Sequence, residues 1–202
     1  MEGRSEELER KLRFDNISLN FLTKLEKFKE ISSVRFHTER GISADDVLQW
    51  EQMNNPYSLP SDLASFYSMF NGVEISWDVM LGEESVTVGD IKLHGLQSMK
   101  RTESSHLAAF VLESQVDVGD LALIYRTEPK SDSVSFDESV KTEIWFRDFS
   151  SEWHFVCSTF TQLLRLMVVH LGNRKSFIQS ISLHSVMNII VCMIGTILQL
   201  SQ

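Results

Sequence analysis

His154 and Cys157 lie three residues apart, with Asp148 and Glu152 just before them, and on paper these side chains make a nucleophilic pair. A thiol activated by an imidazole, itself oriented by a carboxylate, is the arrangement that acyl-transfer chemistry uses. The spacing argues against it, because in an extended strand residues three apart point to opposite faces. No other cluster competes. The nine glycines form neither a GxGxxG nor a GxxxxGK[ST] phosphate loop, and neither HExxH nor CxxC occurs. His170 reads as a capping or surface histidine, and the pairs Asp45/Asp46 and Glu83/Glu84 as solvated. The sequence nominates no catalytic residue, no metal ligand and no cofactor.

The four tryptophans are more informative. Most should be core, because large rings dominate burial. Tryptophan beside asparagine, aspartate or arginine is also the chemistry of interface hot spots. On that ground the candidate partner-binding residues are Trp50, Glu51, Asn54, Asn55 and Trp77 in one block, and Trp145, Asp148, Trp153 and His154 in another. Trp50 with its glutamate and two asparagines leads them.

These residues need elements to position them. Over Trp50–Trp77 the chain reads as a helix end, a proline turn, a second helix and a strand. Ser58, Pro60 and Ser61 supply helix-start chemistry. Leu63, Phe66, Tyr67 and Phe70 then share one face, and Asn71-Gly72 offers a left-handed stop. Val73, Ile75 and Trp77 alternate with Glu74, Ser76 and Asp78 as in a half-buried strand. Upstream, Leu8, Leu12, Ile17, Phe21, Leu25 and Phe28 predict one or two amphipathic helices. Val34 and Phe36 suggest a short edge strand, and Ser43 with Asp46 a capping box for a helix reaching about Asn54. Downstream, Ser85–Val88 and Asp90–Leu96 read as strands around a bend at Gly89. Met99–Ser105 reads as a loop, His106–Leu112 as strand or helix, and Leu121–Tyr125 as a central strand. Pro129–Ser139 should be a solvated loop. Ile144–Phe146 and Trp153–Val156 form a hairpin, before a helix that starts at Ser158 or Thr159. That helix carries Phe160, Leu163, Leu164, Met167, Val168 and Leu171 and stops at Gly172.

The pattern specifies an α+β fold: a mainly antiparallel β-sheet flanked by helices, with an N-terminal amphipathic helix and an atypical apolar C-terminal segment. The expected divisions are a helical segment 1–31, a domain 32–172 and a tail 173–202. From Ser176 to Gln202 there is no Lys, Arg, Asp or Glu, and Val186–Leu200 is almost wholly apolar. Ser182, His184, Ser185 and Asn188 interrupt the ~20 apolar residues a spanning helix needs. Three readings of the tail stay open: a membrane-inserted helix flanked by Arg174 and Lys175, a helix packed on the domain, or an atypical terminus.

With 202 residues and 43% hydrophobic content, the chain suffices for one packed domain. Its net charge of −9 disfavours nucleic acid and anionic membrane surfaces as partners. By the same token, so acidic a chain is not expected to grip a strongly acidic peptide alone. Cys157 and Cys192 sit in apolar surroundings with no disulfide or zinc spacing, as reduced thiols in an intracellular protein would. The charged start, MEGRSEELERKLR, lacks a signal peptide's apolar core, so secretion is not expected.

Several blocks in combination resemble the SUKH (Smi–Knr) superfamily. They are W-E-x-x-N-N at Trp50–Asn55, L-P-x-D-L-x-x-F-Y-x-x-x-N-G at Leu59–Gly72 and S-W at Ser76–Trp77. Within it, they most resemble the branch that serves tubulin glutamylation, as do T-E-I-W-F-x-D at Thr142–Asp148, W-H-F at Trp153–Phe155, T-F-T at Thr159–Thr161 and R-L-x-x-x-H-L-G at Arg165–Gly172. The resemblance covers roughly residues 32–172. It implies the same α+β fold and a non-catalytic scaffold subunit of a complex that adds glutamate chains to tubulin. In that branch the ligase chemistry belongs to a separate tubulin–tyrosine-ligase-like glutamylase subunit, and contact with tubulin or microtubules is expected to be indirect. The implied location is cytoplasmic and cytoskeleton-associated, at centrosomes, centriolar satellites or the cilium base. This chain departs from the branch after Gly172, where a proline-containing segment and a long basic tail are replaced, and in a shorter stretch around Met99–Asp120. The alternative from the same resemblance is a free-standing SUKH-type adaptor in signalling or an immunity-like role.

Overall fold

Alternating apolar residues build two antiparallel sheets, one of three strands and one of five, accompanied by short helices. The computed structural model describes residues 2–104, 107–115, 119–127 and 140–170. The expected loop Pro129–Ser139, the helix stop at Gly172 with Leu171, the tail 173–202 and Cys192 lie outside the described residues. No helix among the described residues is long and apolar enough to cross a membrane. The chain divides into two compact units.

Among the described residues, the first unit takes those up to Glu39, Val73–Lys92 and Leu164–His170. It begins with α1 (Glu2–Ile17) and α2 (Phe21–Leu25). The expected apolar stripe holds at Phe21 and Leu25 but not at Leu8, Leu12 and Phe28, which are exposed, while Phe14 and Leu22 are buried outside it. Leu19 and Asn20 adopt left-handed backbone between the two helices, which breaks the helical phase. The buried Asp15 carboxylate accepts the Leu22 N–H at 2.7 Å and the Thr23 N–H at 3.1 Å, so it caps α2 from the preceding helix. Phe14 meets Phe36 at 5.4 Å and Phe21 meets Trp77 edge-on at 5.5 Å.

Strands β1 (Ile31–Arg40), β2 (Phe70–Leu81) and β3 (Glu84–Leu93) form the smaller sheet in that order. The edge strand read at Val34 and Phe36 is therefore real and longer than expected. The two runs separated at Gly89 are one strand. Asp78, expected to face water, is buried and receives Arg35, Ser33 at 2.7 Å and Thr87 at 2.7 Å. Those bonds hold the carboxyl well below its ordinary range, the Arg35 contact foremost.

The second unit takes Arg40–Gly72 and Leu93–Leu163. It holds α3 (Ala44–Met53), α4 (Ser61–Met69), a 3₁₀ turn at Leu96–Ser98 and the five-stranded sheet. The capping box is present: the Ser43 side chain accepts the Asp46 N–H, and Asp46 accepts the Ser43 N–H. Leu63, Phe66, Tyr67 and Phe70 are all buried. The helix ends earlier than Asn71-Gly72 suggests, since Phe70 is already extended and Gly72, at φ +90°, lies inside β2.

The sheet runs β4 (Lys100–Ser104), β5 (Leu107–Gln115), β6 (Gly119–Thr127), β7 (Val140–Arg147), β8 (Trp153–Cys157), all antiparallel neighbours. Met99–Ser105 is thus mostly a strand, not a loop. Leu121–Tyr125 is central as expected. On one face Leu121, Leu123 and Tyr125 oppose Phe146, Ile144 and Thr142. Trp50 and Tyr57 cover that face, at 5.0 and 5.7 Å from the Phe110 ring. Helix α5 (Phe160–Val169) starts where the Thr159 hydroxyl accepts the Gln162 N–H, and Phe160 meets Phe66 at 4.8 Å. Asp62 of α4 accepts the Thr161 N–H at 2.8 Å and so ties the two helix starts together.

Candidate functional site

The bulge in β8 decides the His154–Cys157 question. Trp145 pairs with Phe155, yet Ile144 pairs with Cys157, so β8 carries one extra residue at Val156. His154 and Cys157 consequently both align with core-facing residues of β7, contrary to the simple alternation rule. Each nevertheless engages a partner of its own. His154 Nε2 meets Asp148 Oδ2 at 2.9 Å, whereas the Cys157 thiol donates to the Thr159 carbonyl at 3.4 Å. Burial pushes the Cys157 thiol up to about 12, so almost no thiolate exists at neutral pH. Asp148, Glu152 and His154 bring one ligand atom each within 4.8 Å of one another. The Asp148 carboxylate is engaged in shaping the turn, accepting the Glu152 N–H at 3.0 Å as well as facing His154. The His154 contact, then that N–H, lowers its proton affinity.

The first tryptophan block is mostly engaged within the fold. Trp50 and Trp77 are buried, as most of the tryptophans were expected to be. Glu51 accepts the Leu59 N–H at 2.9 Å, and the Asn54 amide donates to the Trp50 carbonyl at 2.8 Å. Both polar side chains are closing a helix end. Asn55 is exposed and precedes Pro56 through a cis bond.

The second block is different. Cross-strand partners point to the same side of a sheet, so the register places one set of side chains on the face opposite Phe110. Arg147 opposes Asp120 and Trp153; Trp145 opposes Ala122 and Phe155; Glu143 opposes Ile124; Lys141 opposes Arg126. Trp145 and Trp153 pack over a floor of Ala109, Ala122 and Ile124. Each indole carries a guanidinium: Arg126 lies 5.5 Å from the Trp145 ring and Arg147 lies 5.4 Å from Trp153. Phe155, 48% exposed, meets Trp145 edge-on at 5.7 Å.

Two acids, the buried Glu143 and the half-buried Asp120, hold this arrangement. Glu143 accepts the Trp145 Nε1–H at 3.0 Å and faces Lys141 at 3.3 Å and Arg126 at 3.4 Å. Burial works to raise the Glu143 proton affinity, and those three donors outweigh it, so the group stays ionised. Asp120 accepts the Arg147 Nε–H at 3.1 Å and the Ser114 hydroxyl at 2.6 Å. The sequence reading named Trp145 and Trp153 but missed Arg126, Lys141, Glu143, Arg147 and Phe155. For three of them the signal was present as alternation along Lys141, Glu143, Trp145 and Arg147, which places these four side chains on one face.

Comparison with known proteins finds similarity to the tubulin polyglutamylase complex subunit 2 of Rattus norvegicus, Homo sapiens and Mus musculus. Identity is 28%, 29% and 28% over 160, 159 and 160 aligned positions. The matches cover 62% of this chain. The chain spans about half the length of these curated relatives, 51–52%. No family model matches the chain, and no solved structure matches it.

Proposed function

We propose that this chain is a binding subunit of an assembly that adds glutamate chains to tubulin, built on a SUKH-type fold. The observation that carries the proposal is the 28–29% identity to a tubulin polyglutamylase complex subunit. In this reading a separate ligase subunit performs the chemistry, and this chain scaffolds it. Two features of the site support a binding role. The buried Cys157 thiol and the Asp148-bound His154 are not poised as a nucleophile and base. The arginine-stacked tryptophans are the residue types that dominate protein interfaces. The chain is accordingly expected in the cytoplasm, at microtubule-bearing structures.

The test is recovery of the tagged full-length chain from cells, followed by mass spectrometry and a glutamylation assay of the eluate on microtubules. A tubulin–tyrosine-ligase-like subunit and glutamylating activity are expected in the eluate. Recovery of neither overturns the proposal. An intact glutamylase assembly in cells lacking this chain would point instead to a free-standing adaptor.

A further inference from the structure

The face built on β7 and β8 has a charge character opposite to that of the whole chain. The contrast is sharpest at one cluster: the Glu143 side chain is 7% exposed, against 50% for Arg126 and 51% for Lys141, while Asp120 at 17% and Arg147 at 30% are both half-buried. Glu143 serves both cations, and Asp120 serves Arg147. Lys100 of β4, exposed and paired with Val111, adds a further cation to the same side. An approaching molecule therefore meets guanidinium and ammonium tips with aromatic edges between them.

We propose that this face binds an acidic, extended peptide segment of a partner protein. The net charge of −9 does not forbid it. Charges more than ~8–10 Å away are largely screened at physiological salt, so the local cations dominate at contact. Stacking on Trp145 and Trp153 holds Arg126 and Arg147 in place. Arg147 spends its Nε and one Nη on Asp120, so the half-exposed Arg126 and Lys141 are the cations a carboxylate meets first. The spacing fits a strand-like ligand. Lys141, Glu143, Trp145 and Arg147 are alternate residues, so their side chains recur about every 7 Å, the same-side repeat of an extended peptide. The Lys141–Arg126 end and the Arg147 end lie about 20 Å apart by the same rise. A matching peptide carries acidic residues about six positions apart, with an apolar residue between them over Trp145 and Phe155. This inference rests on the face alone and does not depend on the tubulin-glutamylation reading.

The test uses the full-length chain at 0.15 M salt and fluorescein-labelled octapeptides read by anisotropy. One is glutamate-rich with a central tyrosine, and the others replace every glutamate by glutamine or by lysine. The glutamate peptide is expected to bind, with the glutamine peptide about tenfold weaker or more, the cost of losing a charge-assisted contact. The paired change Arg126→Gln with Lys141→Gln should cost a similar factor, Phe155→Ser should weaken all binding, and Lys29→Gln on exposed chain elsewhere should change nothing. Circular dichroism of each variant keeps a folding defect from mimicking the loss. Equal binding of glutamate and glutamine peptides, or an unchanged affinity in the Arg126/Lys141 variant, overturns the proposal. Concentration-dependent self-association abolished by Phe155→Ser, with no peptide binding, also overturns it and makes a second copy the occupant.

Discussion

A buried polar or nucleophilic group reveals its role by what it touches. Cys157 and Asp15 illustrate this from opposite directions. Cys157 looks reactive by its neighbours in sequence, yet burial holds its thiol near 12. In a chain carrying Cys192→Ser, a thiol reagent at pH 8 should modify Cys157 far more slowly in the native state than after denaturation. Comparable rates would mean the thiol is accessible and ionised. Asp15 looks like an ordinary helix-surface acid between Phe14 and Asn16, and no local pattern marks it. It became legible only through the fold, which aims it at the backbone N–H groups of Leu22 and Thr23. Asp15→Ala should cost about 1–2 kcal/mol in denaturant unfolding, the range for losing a helix cap. An unchanged midpoint would show that water replaces the carboxylate at no cost.

Elements were legible wherever a single face is buried, and misread wherever a turn or bulge resets the period. The capping box at Ser43 and Asp46, the helix face of Leu63 to Phe70 and the central strand at Leu121–Tyr125 follow local rules that the fold does not override. Lys100–Ser104 was missed because its side chains are almost all polar, and partnership with β5 is a long-range fact. The Val156 bulge is equally invisible in sequence, and it moved Cys157 to the face of His154. Glycines test these resets. Gly119, at φ +129°, leaves no room for a Cβ against the Arg147 carbonyl and the Phe146 ring, whereas Gly82, at φ +68°, faces open space. Gly82→Ala should cost about 1 kcal/mol, the left-handed penalty alone. Gly119→Ala should cost about 3 kcal/mol or more, since strain and collision add; equal midpoints in urea would contradict this. The polar ladder of the smaller sheet has a pH signature. Asp78 titrates below its ordinary value, so its stabilisation is complete above the unfolded carboxylate pKa of ~3.9 and fades as pH falls through the folded value. The stability difference between the native chain and Asp78→Asn should be constant near neutrality and shrink below about pH 4. A gap at pH 2 as large as at neutrality would assign it to packing.

For the whole molecule, composition pointed to a packed chain and the pattern of elements to an α+β fold, whereas local charge is set by the fold. A net charge of −9 is a sum, and sums hide a cluster where one buried acid, Glu143, carries the exposed Arg126 and Lys141. The same distinction governs where partners engage. Every motif block that suggests an assembly subunit falls between Trp50 and Gly172, while the charge-free stretch from Ser176 shares none of them. If those blocks hold the partners, a tagged chain ending at Gly172 should recover the same proteins as the full chain, in similar yield. Mass spectrometry of the two preparations checks it, with the yield of each partner normalised to the tagged chain. Loss of partners from the shortened chain, with its circular dichroism unchanged, would move the binding determinant into residues 173–202. The aromatic–arginine face would then have to serve a different contact, and its variants should leave the recovered set intact.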